Sequence, residues 1–465
     1  MFFHQEFIPG LAIASYVIGD DKTKEVAIID PTRDIDRYID LAKRQGFRIR
    51  HVFETHVHAD FVSGSAEFKD RLGEEVKIHV SGMGGAEWTP PYADHVVKDG
   101  EKIHMGDICF EAVHTPGHTL EHMSWALYDK SRSEDTPWVL FTGDFLFVGD
   151  VGRPDLLGKE AMQALGKQLY SSVFERLPKF EDFIEIFPGH GEGSLCGKAI
   201  GSRRSSTLGY ERKFNVSLKE DNEQPWIDNL LSRMPIAPPY FARMKKVNSG
   251  MPKILGTNLP GQRRFTAKEV YAHACEDCLI VDVRSKEAFA GAHIPGSINI
   301  PLGANLPVWA GWVLPYDTPT LIVLDNPDDM KEVVTHLIRV GFDEIQGYLE
   351  DGIESWENHG YDTSTLKTIS VKTLSTLLDD KPFILDVRTE REWNSGHIKG
   401  AHHIHGGLLQ DRIDEVPKDR PVVVVCGSGY RGSIAASFLK RAGYEDVSNL
   451  LGGMSAWKAA GNQFK

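Results

Sequence analysis

Thr55-His56-Val57-His58-Ala59-Asp60-Phe61 sets two histidines and an aspartate, all metal-ligating residue types, directly behind the apolar pair Val52-Phe53. Apolar runs that stop at a polar or turn residue read as strand ends, and the run over 26–29, closed by Asp30-Pro31, reads the same way. Each run is followed by a helix-like or glycine-containing stretch. The spacing therefore predicts an α/β alternation with histidine and aspartate clusters at strand ends. Phe61 closes the stretch with a phenyl ring, which binds no metal.

Three later segments carry the same residue types. They are His114-Thr115-Pro116-Gly117-His118-Thr119, then Phe141-Thr142-Gly143-Asp144 behind an apolar run over 138–141, then Pro188-Gly189-His190-Gly191. A lone histidine is usually structural; four motifs in a fixed order are far more specific. In this order they resemble the metallo-β-lactamase superfamily across the first block, residues 1–250, which ends in a proline-rich linker segment. Gly149-Asp150-Val151-Gly152-Arg153-Pro154-Asp155-Leu156 resembles the persulfide dioxygenase branch of that superfamily, a relative of glyoxalase II.

That resemblance implies an αββα sandwich and a metal site at the strand ends. The superfamily's usual stretch is His-x-His-x-Asp-His, whose last histidine serves a second metal, so Phe61 argues for one metal. The implied ligands are His56, His114 and Asp144, one from each motif. Two imidazoles and a carboxylate match the facial triad of non-haem Fe(II) oxygenases, which leaves open positions for a persulfide sulfur and O₂. His58, Asp60 and His190 are expected to orient ligands or hydrogen-bond bound water. His118 and His122 are expected to be structural, and Arg153 and Asp155 to pair and hold the Asp144 loop. Cys196, just after the His190 motif, is expected near the pocket mouth, as a buried small hydrophobe or an accessory thiol.

The remainder of the chain is a duplication. Asp282-Val283-Arg284, Glu287 and His293-Ile294 recur as Asp386-Val387-Arg388, Glu392 and His397-Ile398, and the apolar run 321–324 recurs as 422–425. A period of roughly a hundred residues is a repeated domain, not a solenoid. The copies span 262–362 and 366–465. Thr266 with Glu269 forms a candidate capping box, and Ser370 a candidate N-cap.

In the second copy the apolar run ends in Cys426-Gly427-Ser428-Gly429-Tyr430-Arg431-Gly432. This resembles the rhodanese active-site loop and implies Cys426 as the sulfur-carrying nucleophile. Gly427, Ser428, Gly429, Tyr430 and Arg431 would line the substrate. Inward backbone N–H groups, a helix N-terminus and Arg431 would stabilise a thiolate or persulfide. The first copy has Asp325 in the cysteine's place and Met330 in the arginine's, so it reads as a catalytically silent rhodanese domain. Cys275 and Cys278 form a C-x-x-C whose spacing reads as incidental.

With 465 residues, at roughly 100–200 per domain, about three domains are expected. A formal charge of -14 with no basic run argues against nucleic acid or an anionic membrane as partner. No stretch resembles a secretory signal or a membrane span, and five scattered cysteines fit a reducing cytoplasm. The expectation is an α/β protein, a metallo-β-lactamase sandwich followed by two rhodanese domains. It would use one Fe(II) per chain to oxidise low-molecular-weight persulfides with O₂, and would make or use sulfite and thiosulfate in sulfide detoxification. A homo-oligomer, dimer or tetramer, is expected from the resemblance. The rival is a zinc-dependent, glyoxalase II-like thioester hydrolase with sulfurtransferase domains.

Overall fold

A computed structural model describes residues 1–219, 222–232, 234–274 and 278–465. It contains two compact units: Met1–Thr257 with Ile338–Gly341, and Asn258–Leu337 with Phe342–Lys465.

The first unit stacks two six-stranded sheets. One runs, edge to edge, Phe2–Ile8, Ile13–Asp20, Glu25–Ile29, Arg48–Phe53, Lys77–Ser81, His95–Val97. The other runs Ser206–Thr207, Glu185–Pro188, Val139–Gly143, Met123–Asp129, Ile108–His114, Lys102–Met105. Side chains alternate along each strand. Tyr16 and Ile18 therefore enter the space between the sheets with Phe53, Phe110, Trp125 and Phe141. Val17 points the opposite way, onto Tyr38 and Ala42 of the helix Asp36–Arg44. The far face of the second sheet is covered by Leu169 of Lys159–Ser171 and by Trp226, Ile227 and Leu230 of Glu223–Leu231. The layers are helix, sheet, sheet, helix. Complete burial of a residue such as Phe53 contributes roughly 1.5–3 kcal/mol.

The second unit holds two five-stranded sheets of the same order, all their pairings parallel. The first is Arg263–Phe265, Ile345–Leu349, Thr320–Val323, Leu279–Asp282, Ile298–Asn299. The second is Lys367–Ile369, Val447–Leu450, Val422–Val425, Phe383–Asp386, His402–His403. The repeated Asp-Val-Arg motif makes the same bonds in both copies. Arg284 forks onto Asp282 and donates to the Ala292 carbonyl; Arg388 forks onto Asp386 and donates to the Gly396 carbonyl. Thr266 and Glu269 bond reciprocally at the helix start, and Ser370 Oγ accepts the Thr373 N–H. Cys275 of the C-x-x-C pair lies outside the described residues; the Cys278 thiol donates to the Pro319 carbonyl at 3.2 Å. Among the described residues no helix is long and apolar enough to cross a membrane.

Candidate metal centre and cysteine loop

Every histidine and aspartate of the candidate centre lies just past the carboxyl end of a strand. His56 follows Arg48–Phe53, His118 follows Ile108–His114, Asp144 follows Val139–Gly143, and His190 follows Glu185–Pro188. Gly143 has φ +47°, and a Cβ there would meet His122 Nε2 at 2.6 Å, so the turn that delivers Asp144 needs glycine.

His56, His118 and Asp144 form a buried group whose ligand atoms all lie within 4.8 Å of one another. His56 Nε2 is 4.0 Å from Asp144 Oδ2, and His118 Nε2 is 3.6 Å from it. The far side of each imidazole fixes its tautomer. His118 Nδ1–H donates to the Arg153 carbonyl at 2.9 Å, which leaves Nε2 with a lone pair. Thr55 Oγ1 donates to Asp30, so it accepts from His56 Nδ1–H at 2.9 Å, and His56 Nε2 is likewise a lone pair. His56 Nε2, His118 Nε2 and both Asp144 carboxylate oxygens make no well-formed hydrogen bond among the described residues, and outside the group only the His190 ring, 3.4 Å from Oδ2, approaches the carboxylate as a possible ion-pair partner. Acceptors alone cannot satisfy one another, and each buried unsatisfied group costs about 1–3 kcal/mol. A cation shared by the three removes that cost, so these residues fit a bound metal. Burial, followed by the neighbouring His58, holds the His56 imidazole well below its ordinary range; burial also lowers His118. Burial would raise the Asp144 carboxyl, but His190, His56 and His118 outweigh it and hold it well below its usual range.

The third member corrects the sequence reading. His114 is the last residue of its strand, paired with Met123, and is not in the group. Its backbone N–H donates to Asp99, and its Nε2–H donates to the Leu120 carbonyl at 2.9 Å, so that nitrogen is occupied. His118, read from sequence as structural, takes the place. His122 is wholly buried at its shoulder, where its Nε2 accepts the Asp144 backbone N–H at 3.0 Å. Burial lowers its imidazole to about 3.

The residues expected around the ligands are close by. His190 Nε2 stands 3.4 Å from Asp144 Oδ2 and 3.4 Å from Asp60 Oδ2, and Cys196 joins Asp60 and His190 in a second buried group. Cys196 is 1% exposed rather than open at a pocket mouth, and burial pushes its thiol up to about 12. His58 turns elsewhere: its Nε2–H reaches Asp30 and Glu54, each at 3.1 Å. Burial opposes charge on His58, but Asp30 and Glu54 prevail and raise it well above its ordinary range. The Phe61 ring packs on His58 at 4.4 Å between centroids. Phe61 offers no donor where it packs, while Asp30, Glu54 and His58 form a third buried group of metal-ligating side chains, beside the one of Asp60, His190 and Cys196. Arg153 forks onto Asp155 at 2.7 and 2.8 Å and also donates to the Leu195 and Pro235 carbonyls, tying the His118 loop to the Cys196 segment.

In the second unit, Cys426 is fully buried behind Val422–Val425, and the Gly429 N–H donates to its sulfur at 3.0 Å. Ser428 is exposed. Arg431 does not stand free: both its terminal nitrogens donate to Glu392, each at 2.6 Å, and Glu392 also closes a capping box with Thr389. Although burial opposes it, the Arg431 bond lowers the Glu392 carboxyl to about 2. Sequence reasoning missed Glu392 as a loop residue, although its recurrence in the duplication marked it. In the first copy, Asn326 caps the corresponding turn by accepting the Asp328 N–H, and Met330 is buried.

The metallo-beta-lactamase superfamily model matches residues 8–190, and the rhodanese-like domain model matches 266–359 and 370–460. Human mitochondrial persulfide dioxygenase ETHE1 is 30% identical over 202 residues, 43% of this chain and 72% of that protein. The bovine form is 29% identical over the same shares. The crystal structure of a metallo-beta-lactamase from Staphylococcus aureus is similar with a TM-score of 0.66 and 39% identity, over 75% of this chain and 98% of that one. The chain belongs to the persulfide dioxygenase branch of the metallo-β-lactamase superfamily, joined to two rhodanese-like domains.

Proposed function

We propose that this chain oxidises low-molecular-weight persulfides to sulfite at one Fe(II) held by His56, His118 and Asp144, and that Cys426 exchanges sulfane sulfur with the product. The observation that carries the reading is the buried convergence of His56 Nε2, His118 Nε2 and the Asp144 carboxylate, with both imidazole nitrogens unshared. Bound Fe(II) supplies open positions for a persulfide sulfur and O₂, whereas zinc would supply only Lewis-acid hydrolysis.

The residues around the site have separable tasks. Thr55 and the Arg153 carbonyl orient the two imidazoles, and His122 fixes the backbone of Asp144. His190 and Asp60 hold a proton beside Asp144 Oδ2. Phe61, which offers no donor, restricts the centre to one metal. Cys196, buried beside His190, is a protonated thiol near neutral pH rather than a competing nucleophile. The net reaction consumes one persulfide, one O₂ and one water, and yields one thiol and one sulfurous acid.

At the second site, the outer sulfur of a Cys426 persulfide passes to sulfite, giving thiosulfate, and the S–S electron pair returns to the Cys426 sulfur. The reverse direction uses the same atoms. Tethering both sites on one chain raises the effective concentration of the intermediate. The first rhodanese-like copy, with Asp325 in place of the cysteine, is silent in this scheme. Sulfide detoxification in the cytoplasm by a dimer or tetramer completes the proposal.

The test is product analysis with the iron-loaded full chain, a persulfide and O₂. Sulfite and thiosulfate should both form, and Cys426→Ser should let sulfite accumulate at the expense of thiosulfate. Thiosulfate formed by that variant at the wild-type rate would defeat the coupling. Hydrolysis of a thioester by zinc-loaded protein, without O₂ uptake in any metal form, would favour the hydrolase.

A further inference from the structure

The silent rhodanese-like copy has lost its cysteine but keeps a cavity. It holds about 300 Å³, within the range of small-molecule sites. Its walls come from both copies. Lys286 and Glu287 lie just past Leu279–Asp282, Asp325 and Asp329 occupy the turn after Thr320–Val323, and Tyr430 of the catalytic loop lines it as well. Tyr430 is fastened there by its hydroxyl, which donates to the Pro301 carbonyl at 3.1 Å. A Cβ on Gly429 would lie 3.4 Å from Lys286 Cε, so Lys286 rests against the residue whose N–H reaches Cys426 sulfur. The cavity therefore borders the sulfur-carrying loop.

Its lining carries charges of both signs, but the cations are engaged. Arg284 is saturated by Asp282 and the Ala292 carbonyl. Lys286 Nζ is paired with Glu287 at 2.7 Å. Among the described residues neither Asp325, which is exposed, nor Asp329, which accepts from the Asn326 amide at 3.4 Å, forms an ion pair. Two uncompensated carboxylates in a partly enclosed cleft attract an ammonium group and repel phosphates.

We propose that this cavity seats the non-reacting end of the low-molecular-weight thiol that exchanges sulfur with Cys426, and that it selects thiols bearing a free amine. This rests on the sulfurtransferase reading of Cys426. In the first half-reaction, the Cys426 thiolate attacks the outer sulfur of thiosulfate, and the S–S pair leaves on sulfite. In the second, the acceptor thiolate attacks the outer sulfur of the Cys426 persulfide, and the pair returns to Cys426. No oxidant or reductant is consumed. The silent copy thereby becomes the specificity element of the active one, with Asp325 and Asp329 holding the ammonium and Lys286 and Tyr430 shaping the approach.

The experiment uses the full chain with thiosulfate as donor and cysteamine or N-acetylcysteamine as acceptor, with rates referred to thiolate concentration. Cyanide serves as an acceptor without a carrier. Wild-type protein should prefer the amine by about tenfold in kcat/KM, and added salt should shrink that preference. The double substitution Asp325→Asn with Asp329→Asn should bring the ratio close to one. A wild-type ratio near one alongside normal cyanide turnover overturns this inference alone. So does a preference that survives both high salt and the double substitution. Absence of cyanide turnover in the wild type overturns the reading of Cys426 itself.

Discussion

His114 and His118 stand four residues apart and have opposite surroundings. His114 ends a strand with its ring nitrogen occupied by the Leu120 carbonyl, whereas His118 is buried and aims an unshared nitrogen at Asp144. In the proposed centre, His118→Ala should abolish stoichiometric iron binding, while His114→Ala should keep it; metal analysis of the purified variants decides between them. Loss of iron from His114→Ala alone would return the ligand set to the one read from sequence. The sequence carries one clue to the outcome. His56, Asp144 and His190 all lie beyond their strand ends, as His118 does and His114 does not. What it cannot carry is the path of the Pro116-Gly117 turn. Gly117 has φ +142° and lies against Leu169, from a helix far along the chain, so only tertiary packing aims His118 inward. The clamp on His58 was equally hidden, because Asp30 and Glu54 come from the ends of neighbouring strands.

Among the elements, the strands were readable because apolar runs end at turn residues, and Val422–Val425 matches its run residue for residue. The duplication was readable because the Asp-Val-Arg forks are short-range and recur intact. The partner of Arg431 was not, since Glu392 lies 39 residues away across the sheet. That pair joins the helix Glu390–Asn394 to the start of Tyr430–Arg441, and so braces the cysteine loop. Glu392 has its folded value depressed to about 2 from an ordinary value of 4.5. Its stabilisation is therefore present in full above the ordinary value and is lost as pH falls through about 2. Because Glu392 is about a third exposed, solvent screening discounts the pair, and Glu392→Gln should cost about 1 kcal/mol near neutral pH. Denaturant titrations at stepped pH should show the gap between variant and wild type closing below the ordinary glutamate range. A gap that is constant down to pH 2 would mean that the pair contributes through packing rather than charge.

For the whole molecule, one compact unit holds the candidate metal centre and the other holds the cysteine loop. The metal centre is built from loops of the sandwich in the first unit, and the cysteine loop from a parallel sheet in the second. The central claim is that one iron, held by His56, His118 and Asp144, oxidises a persulfide. Oxygen uptake tests it most directly. The full chain, loaded with iron and supplied with glutathione persulfide, should consume one O₂ for each sulfur that appears as sulfite or as the oxidised sulfur of thiosulfate. Zinc-loaded protein should consume none. Failure of the iron-loaded protein to take up O₂ with any low-molecular-weight persulfide, or equal turnover by the zinc form, would contradict the account.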